Sequence, residues 1–213
     1  MKNKFNVTIC LMITLIFGVR FTVQAVIVAN DLATPYPPGN GKMMEANVTD
    51  GAAYFFQAQV NISSLFYEGE IGSVNKLNFE NCITYIDAAM VNLKLAKEKI
   101  LTAAAAAKAA TADGTKIAML KDFDYDKLTV EKGMIREIML KVKAYLAVGN
   151  IPGFYQKFAD GLTDMIVKLQ AMREMLAAGV QPDIADFWSL LHQSYYIGLF
   201  GNYGTVIGQT AIK

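Results

Sequence analysis

The chain has 213 residues, 54% of them hydrophobic and 18% charged, with two Cys, one His and a formal net charge of +1. So balanced a charge excludes a general nucleic-acid binder, which needs a basic surplus to displace counterions, and so apolar a composition excludes a disordered chain. One histidine is also too few for most catalytic zinc or di-metal sites.

Residues 1–25 read as a cleaved secretory signal peptide. Lys2 and Lys4 form the positive start, Val7 to Val19 the apolar run, and Val23-Gln24-Ala25 a small-residue cleavage site. The apolar run is short for a membrane span. Removing the segment leaves 17 basic and 19 acidic groups, a net of −2. It also leaves Cys82 as the single cysteine, so no internal disulfide is available and stability must come from packing. Cys82 reads as a small buried apolar residue. The expected location is exported, either periplasmic or extracellular.

Residues 26–48 hold Pro35, Pro37, Pro38, Gly39 and Gly41 and read as an extended N-terminal arm. Residues 49–213 read as one all-α domain, a bundle of four to five mostly up-down helices. The first predicted helix runs from about Asp50 to Tyr67, capped by Thr49 or Asp50. It carries no charge from Gly51 to Tyr67 and is apolar nearly all round, so it is buried on most sides or faces an apolar partner.

The second predicted helix is the clearest. Phe79, Ile83, Ile86, Met90 and Leu93 step by four and three, with Asn78 as cap. The pattern passes into an alanine-rich stretch and stops near Asp113-Gly114. Alanine is the best helix former, so this end can project from the bundle or let a neighbouring backbone come close. A third helix is predicted over residues 127–148. A fourth follows from Pro152 to Ala178, with Gly179 just past its end, and the connection at Gly149-Asn150 is so short that the two should be antiparallel neighbours. A fifth starts at Pro182-Asp183 and completes an up-down-up unit.

That last helix is the most informative segment. Phe187 to Ile212 holds no formal charge. Ser194, Gly198, Gly201, Thr205 and Gly208 form a ridge of small residues if the helix continues. Each interior glycine costs about 1 kcal/mol against alanine, so close packing must compensate. Such a ridge serves intramolecular packing, self-association or approach to a ligand. Asn202-Tyr203-Gly204 also reads as a turn that would end the helix. His192 lies among Trp188, Tyr195 and Tyr196. A structural histidine is the plain reading, and a haem-b ligand paired with a methionine the sharper one.

Asp122, Asp124 and Asp126 resemble the start of a calcium loop, a weak metal candidate. Lys127 replaces the turn glycine and Gly133 stands where the bidentate Glu belongs. Asp160 and Asp164 read as a solvated face. A Ser-His-Asp triad would have to use His192 with Ser189 or Ser194, and no GxSxG surrounds either serine. Asn47-Val48-Thr49 and Asn61-Ile62-Ser63 match the N-glycosylation sequon.

The sequence therefore points to an exported, non-catalytic bundle with no cofactor. Its expected partner is a protein or a small apolar ligand, not nucleic acid, bound through the first and last helices. The residues expected at that surface are Phe55, Phe66, Trp188, His192, Tyr195, Tyr196, Gly198 and Gly201. The haem bundle using His192 is one alternative. A membrane-surface or envelope-assembly protein is another, with a true span disfavoured by His192, Gln193, Asn202 and Gln209 in the last helix.

Overall fold

The computed structural model describes residues 39–113, 116–117, 144, 150–209 and 211–212. The expected signal peptide, most of the expected arm, the third predicted helix and the Asp122, Asp124, Asp126 cluster lie outside the described residues, apart from Ala144. Four helices carry the fold: α1 (Asn40–Val74), α2 (Phe79–Ala112), α3 (Ile151–Ala177) and α4 (Ile184–Gln209). The class is all-α, as the periodicity predicts.

Helix α1 starts ten residues before Asp50, so Asn40 to Val48 are helical and not part of an extended arm. Tertiary burial explains the correction. Met44 and Val48 are fully buried and continue the inward stripe of Phe55, Ile62 and Leu65. Asn40 also donates from Nδ2 to the Asp113 carboxylate at 2.6 Å, which sets the start of α1 level with the end of α2. At its other end α1 passes Tyr67 and runs to Val74.

Helix α2 starts and ends close to where the stripe predicts. The Asn81 amide donates to Asn78 Oδ1 at 3.1 Å, the expected cap. Its alanine-rich end does not project. Ala96, Ala103, Ala106, Ala107 and Ala110 are buried, so small side chains serve close approach. Gly51 of α1 shows how close. A Cβ there would lie 2.7 Å from Ile100 and 3.3 Å from the Ala96 carbonyl oxygen.

Helix α3 opens with the Gly153 amide donating to Asn150 Oδ1 and Pro152 in its first turn. It closes on Gly179 in the left-handed region at φ 75°. Val180 N–H donates to the Met175 carbonyl and Gly179 N–H to that of Leu176, a Schellman closure. Helix α4 follows after a short turn. The Ala185 amide donates to Asp183 Oδ1, and the Asp183 amide to Asp186 Oδ2. These bonds occupy amides that a helix start leaves without partners.

The helices alternate in direction. Gly51 meets Ile100, so α1 and α2 are antiparallel. Asp87 near the start of α2 pairs with Arg173 near the end of α3. Gly69 meets Phe187 while Gly208 meets Val48, so α1 and α4 are antiparallel too. Helices α3 and α4 close the ring, as the short connection predicts. One feature is absent from the sequence reading. Strand β1 (Lys116–Ile117) pairs antiparallel with β2 (Ala211–Ile212), a two-residue ladder beside the bundle.

Candidate functional site

Helix α4 continues through its glycines to Gln209, and the turn at Asn202-Tyr203-Gly204 does not form. Its inner face explains why. Gly198 lies beside Phe55, and Gly201 beside Phe158. A Cβ on Gly204 would be 3.2 Å from both Tyr155 and Val48, and one on Gly208 2.5 Å from Val48. The rings of Phe55 and Phe158 meet edge to face at 6.0 Å, and Phe154 stacks on Phe200 at 5.2 Å. Close aromatic packing of this kind offsets the intrinsic cost of glycine in a helix. The Tyr155 hydroxyl donates to the Gly204 carbonyl at 2.9 Å, and burial raises its pKa. The small ridge is thus an internal packing device.

This divides the expected surface residues into two groups. Phe55, Gly198 and Gly201 are in the core, where no partner can reach them. Phe66 is also buried, but its ring supports the outside by meeting Trp188 edge-on at 4.5 Å. Tyr196 is half-buried with its ring against Phe200. Trp188, His192 and Tyr195 do face outward, spaced by four and three along α4. The Trp188 and His192 rings lie 5.5 Å apart. The Tyr195 hydroxyl is shifted upward by partial burial and by Tyr67.

Tyr67 leads to the residues that the sequence reading missed. Past the predicted end of the first helix, Tyr67, Ile71 and Val74 continue with the same four-and-three spacing. Their exposures are 57%, 52% and 79%, against 43% for Trp188 and 38% for Tyr195. The two rows come together where Trp188 meets Phe66 and Tyr195 nears Tyr67, and Ile71 and Val74 continue the strip along α1 toward the turn that precedes α4. Extended along each helix, they read Phe56, Val60, Ser63, Tyr67, Ile71, Val74 on α1 and Trp188, His192, Tyr195, Leu199, Asn202 on α4. Neither row contains an Asp, Glu, Lys or Arg. Gly69 and Gly72, which obscure the helix in the sequence, lie inside it against Phe187 and Leu77.

The other candidate chemistries can be placed as well. His192 is on the outside of the bundle, whereas haem-binding bundles hold their group in the interior between helices. Ser194 is buried and donates to the Leu191 carbonyl, and Ser189 accepts from Lys168. Neither hydroxyl is committed to His192. Asp160 and Asp164 are exposed, and Asp160 accepts from Gln156. Among the described residues no three His, Cys, Asp or Glu side chains group to hold a metal ion. Cys82 is buried as expected. Asn47 and Asn61 of the two sequons are buried, each donating from Nδ2 to the carbonyl four residues back.

Two hollows stand out among the described residues, and both are open. One of about 370 Å³ runs between α2 and α3 along Lys94, Leu101, Ile166 and Val167. The other, of about 400 Å³, lies at the turns beside Gly69, Gln181 and Ile184. No helix among the described residues is long and apolar enough to cross a membrane. No protein-family model, curated protein or solved structure matches this chain.

Proposed function

We propose that this is an exported, non-catalytic helical-bundle protein that binds a partner protein through the outer face of α1 and α4. The supporting observation is the strip of Tyr67, Ile71, Val74, Trp188, His192 and Tyr195. It is aromatic, contiguous, exposed and free of formal charge, whereas an isolated soluble helix pair normally presents charged residues there. Trp and Tyr are the residues most often found at the energetic centres of protein interfaces. Trp188 already rests on Phe66, which lowers the entropy lost when a partner covers it. A protein partner fits better than a small apolar ligand, because none of the strip residues lines either of the two open hollows. Export rests on the pattern of residues 1–25.

Photo-crosslinking in source cells tests the surface. A photoreactive residue at position 195 should give a discrete crosslinked protein species. The same residue at Val167, exposed on the opposite face, should give none. Equal labelling from both positions, or no species from position 195, refutes the assignment.

A further inference from the structure

The same strip carries a narrower reading, which rests on the partner-surface assignment above. We propose that the partner is a second copy of this chain, joined through the α1 and α4 faces in a two-fold dimer.

Charge is the first argument. In a two-fold interface the residues near the axis meet their own copies, so any charge there faces a like charge. Such a pair repels and loses hydration. From Phe56 to Val74 on α1 and from Trp188 to Asn202 on α4, the outward rows hold none. The formal charges close by lie off these rows: Glu70, Lys76, Asp183 and Asp186 are exposed, Glu68 accepts from Asn81 on the α2 side, and Lys168 of α3 reaches Ser189 at the edge. A partner recognised by opposite charge would leave a charged imprint on this face. An anionic membrane surface would require a basic rim, and the rows supply no Lys or Arg.

Area is the second argument. A stable interface takes about 800 Å² from each partner, of which roughly 56–65% is apolar. The apolar share is therefore about 450–520 Å². The exposed fractions of Tyr67, Ile71, Val74, Trp188 and Tyr195 amount to roughly 350–550 Å², taking ~150–250 Å² for each full aromatic side chain and somewhat less for each aliphatic. The strip thus supplies the apolar centre of one ordinary interface. His192, Ser63 and Asn202 supply hydrogen-bonding groups along the same rows.

Sedimentation velocity of the purified protein from about 1 to about 100 µM tests the dimer. The expected result is a monomer–dimer equilibrium in that range. Tyr67→Lys and Trp188→Lys should each raise the dissociation constant at least about tenfold, because each buries a like-charge pair at the interface. Val167→Lys should leave it unchanged. Circular dichroism checks that each variant keeps its helices. A monomer at every concentration, or a dimer indifferent to both Lys variants, overturns the proposal. If the protein is a monomer while position 195 still crosslinks to a different protein, the homodimer is wrong and the partner surface stands. If position 195 crosslinks to nothing, both readings fall.

Discussion

Cys82 offers a direct measure of how tightly the described bundle seals its interior. Burial, reinforced by Glu68, pushes the thiol from 9.0 up to about 12. In the unfolded chain the same thiol ionises near its ordinary value. Because the folded value is the higher one, the stabilisation is complete below about pH 9. It is lost as the pH rises toward about 12, since the unfolded chain gains a thiolate that the core cannot hold. One proton changes stability by about 1.4 kcal/mol per pH unit. By pH 11 the loss from Cys82 alone is therefore roughly 2–3 kcal/mol, a substantial part of the ~5–15 kcal/mol typical of a domain. Cys82→Ala removes this slope at a small fixed cost in packing. Urea midpoints for both proteins at about pH 8, 9.5 and 11 read the effect. Tyr85, Tyr155, Tyr195 and Tyr203 are also shifted upward by burial, but they are present in both proteins. The difference between the two curves reads the thiol together with its effect on Tyr85, which the Cys82 thiolate helps to raise. If both lose stability equally with pH, Cys82 is not held in a sealed core and the argument fails.

Four further outcomes follow from the core. Gly198→Ala should stabilise by up to about 1 kcal/mol, because it gains helix propensity and its new methyl would lie 3.4 Å from Phe55. Gly208→Ala should destabilise by about 1–3 kcal/mol, since it would meet Val48 and the Glu45 backbone, and thermal melts of the pair should therefore move in opposite directions. Tyr155→Phe should cost about 1 kcal/mol in chemical denaturation, by removing the buried bond to the Gly204 carbonyl without changing shape. When the protein is made through a eukaryotic secretory pathway, folded material should carry no N-glycan at Asn47 or Asn61, as read by intact mass; a folded protein glycosylated at either would contradict the buried positions of those amides.

How much was legible in the sequence differs from helix to helix. Helix α2 was readable because one apolar stripe runs beside a polar face and Asn78 marks its start. Helix α3 was readable for the same reason, with Pro152 and Gly179 at its ends. The start of α1 was not, because Gly39, Gly41 and the nearby prolines signal a loop. What makes residues 40–48 helical is contact between Met44, Val48 and distant helices. The surface was half legible. A helix with no charged face does not reveal which side turns inward, so Phe55, Gly198 and Gly201 could not be told apart from Trp188, His192 and Tyr195. In the fold, the glycines follow the rings of α1 and α3, Phe187 and Phe200 turn inward with them, and Trp188 and Tyr195 face out. Tyr67, Ile71 and Val74 were hidden by Gly69 and Gly72, which suggest a helix end but serve close contact.

The pairing of the first described helix with the last also bears on how the chain assembles. Helices α1 and α2 form a local hairpin, as do α3 and α4, and loop closure within each is entropically cheap. The contact between α1 and α4 joins residues far apart in sequence, so it should form late. Until it does, the glycine-bearing face of α4 and the rings of α1 are exposed together, on helices with few charges to keep chains apart. Substitutions between α1 and α2, such as Ile100→Val, should then slow folding. Gly208→Ala, between α1 and α4, should mainly speed unfolding. Stopped-flow chevrons separate the two, and equal effects on the folding limb would contradict this order. The interval before α4 docks is when the chain is most exposed to aggregation.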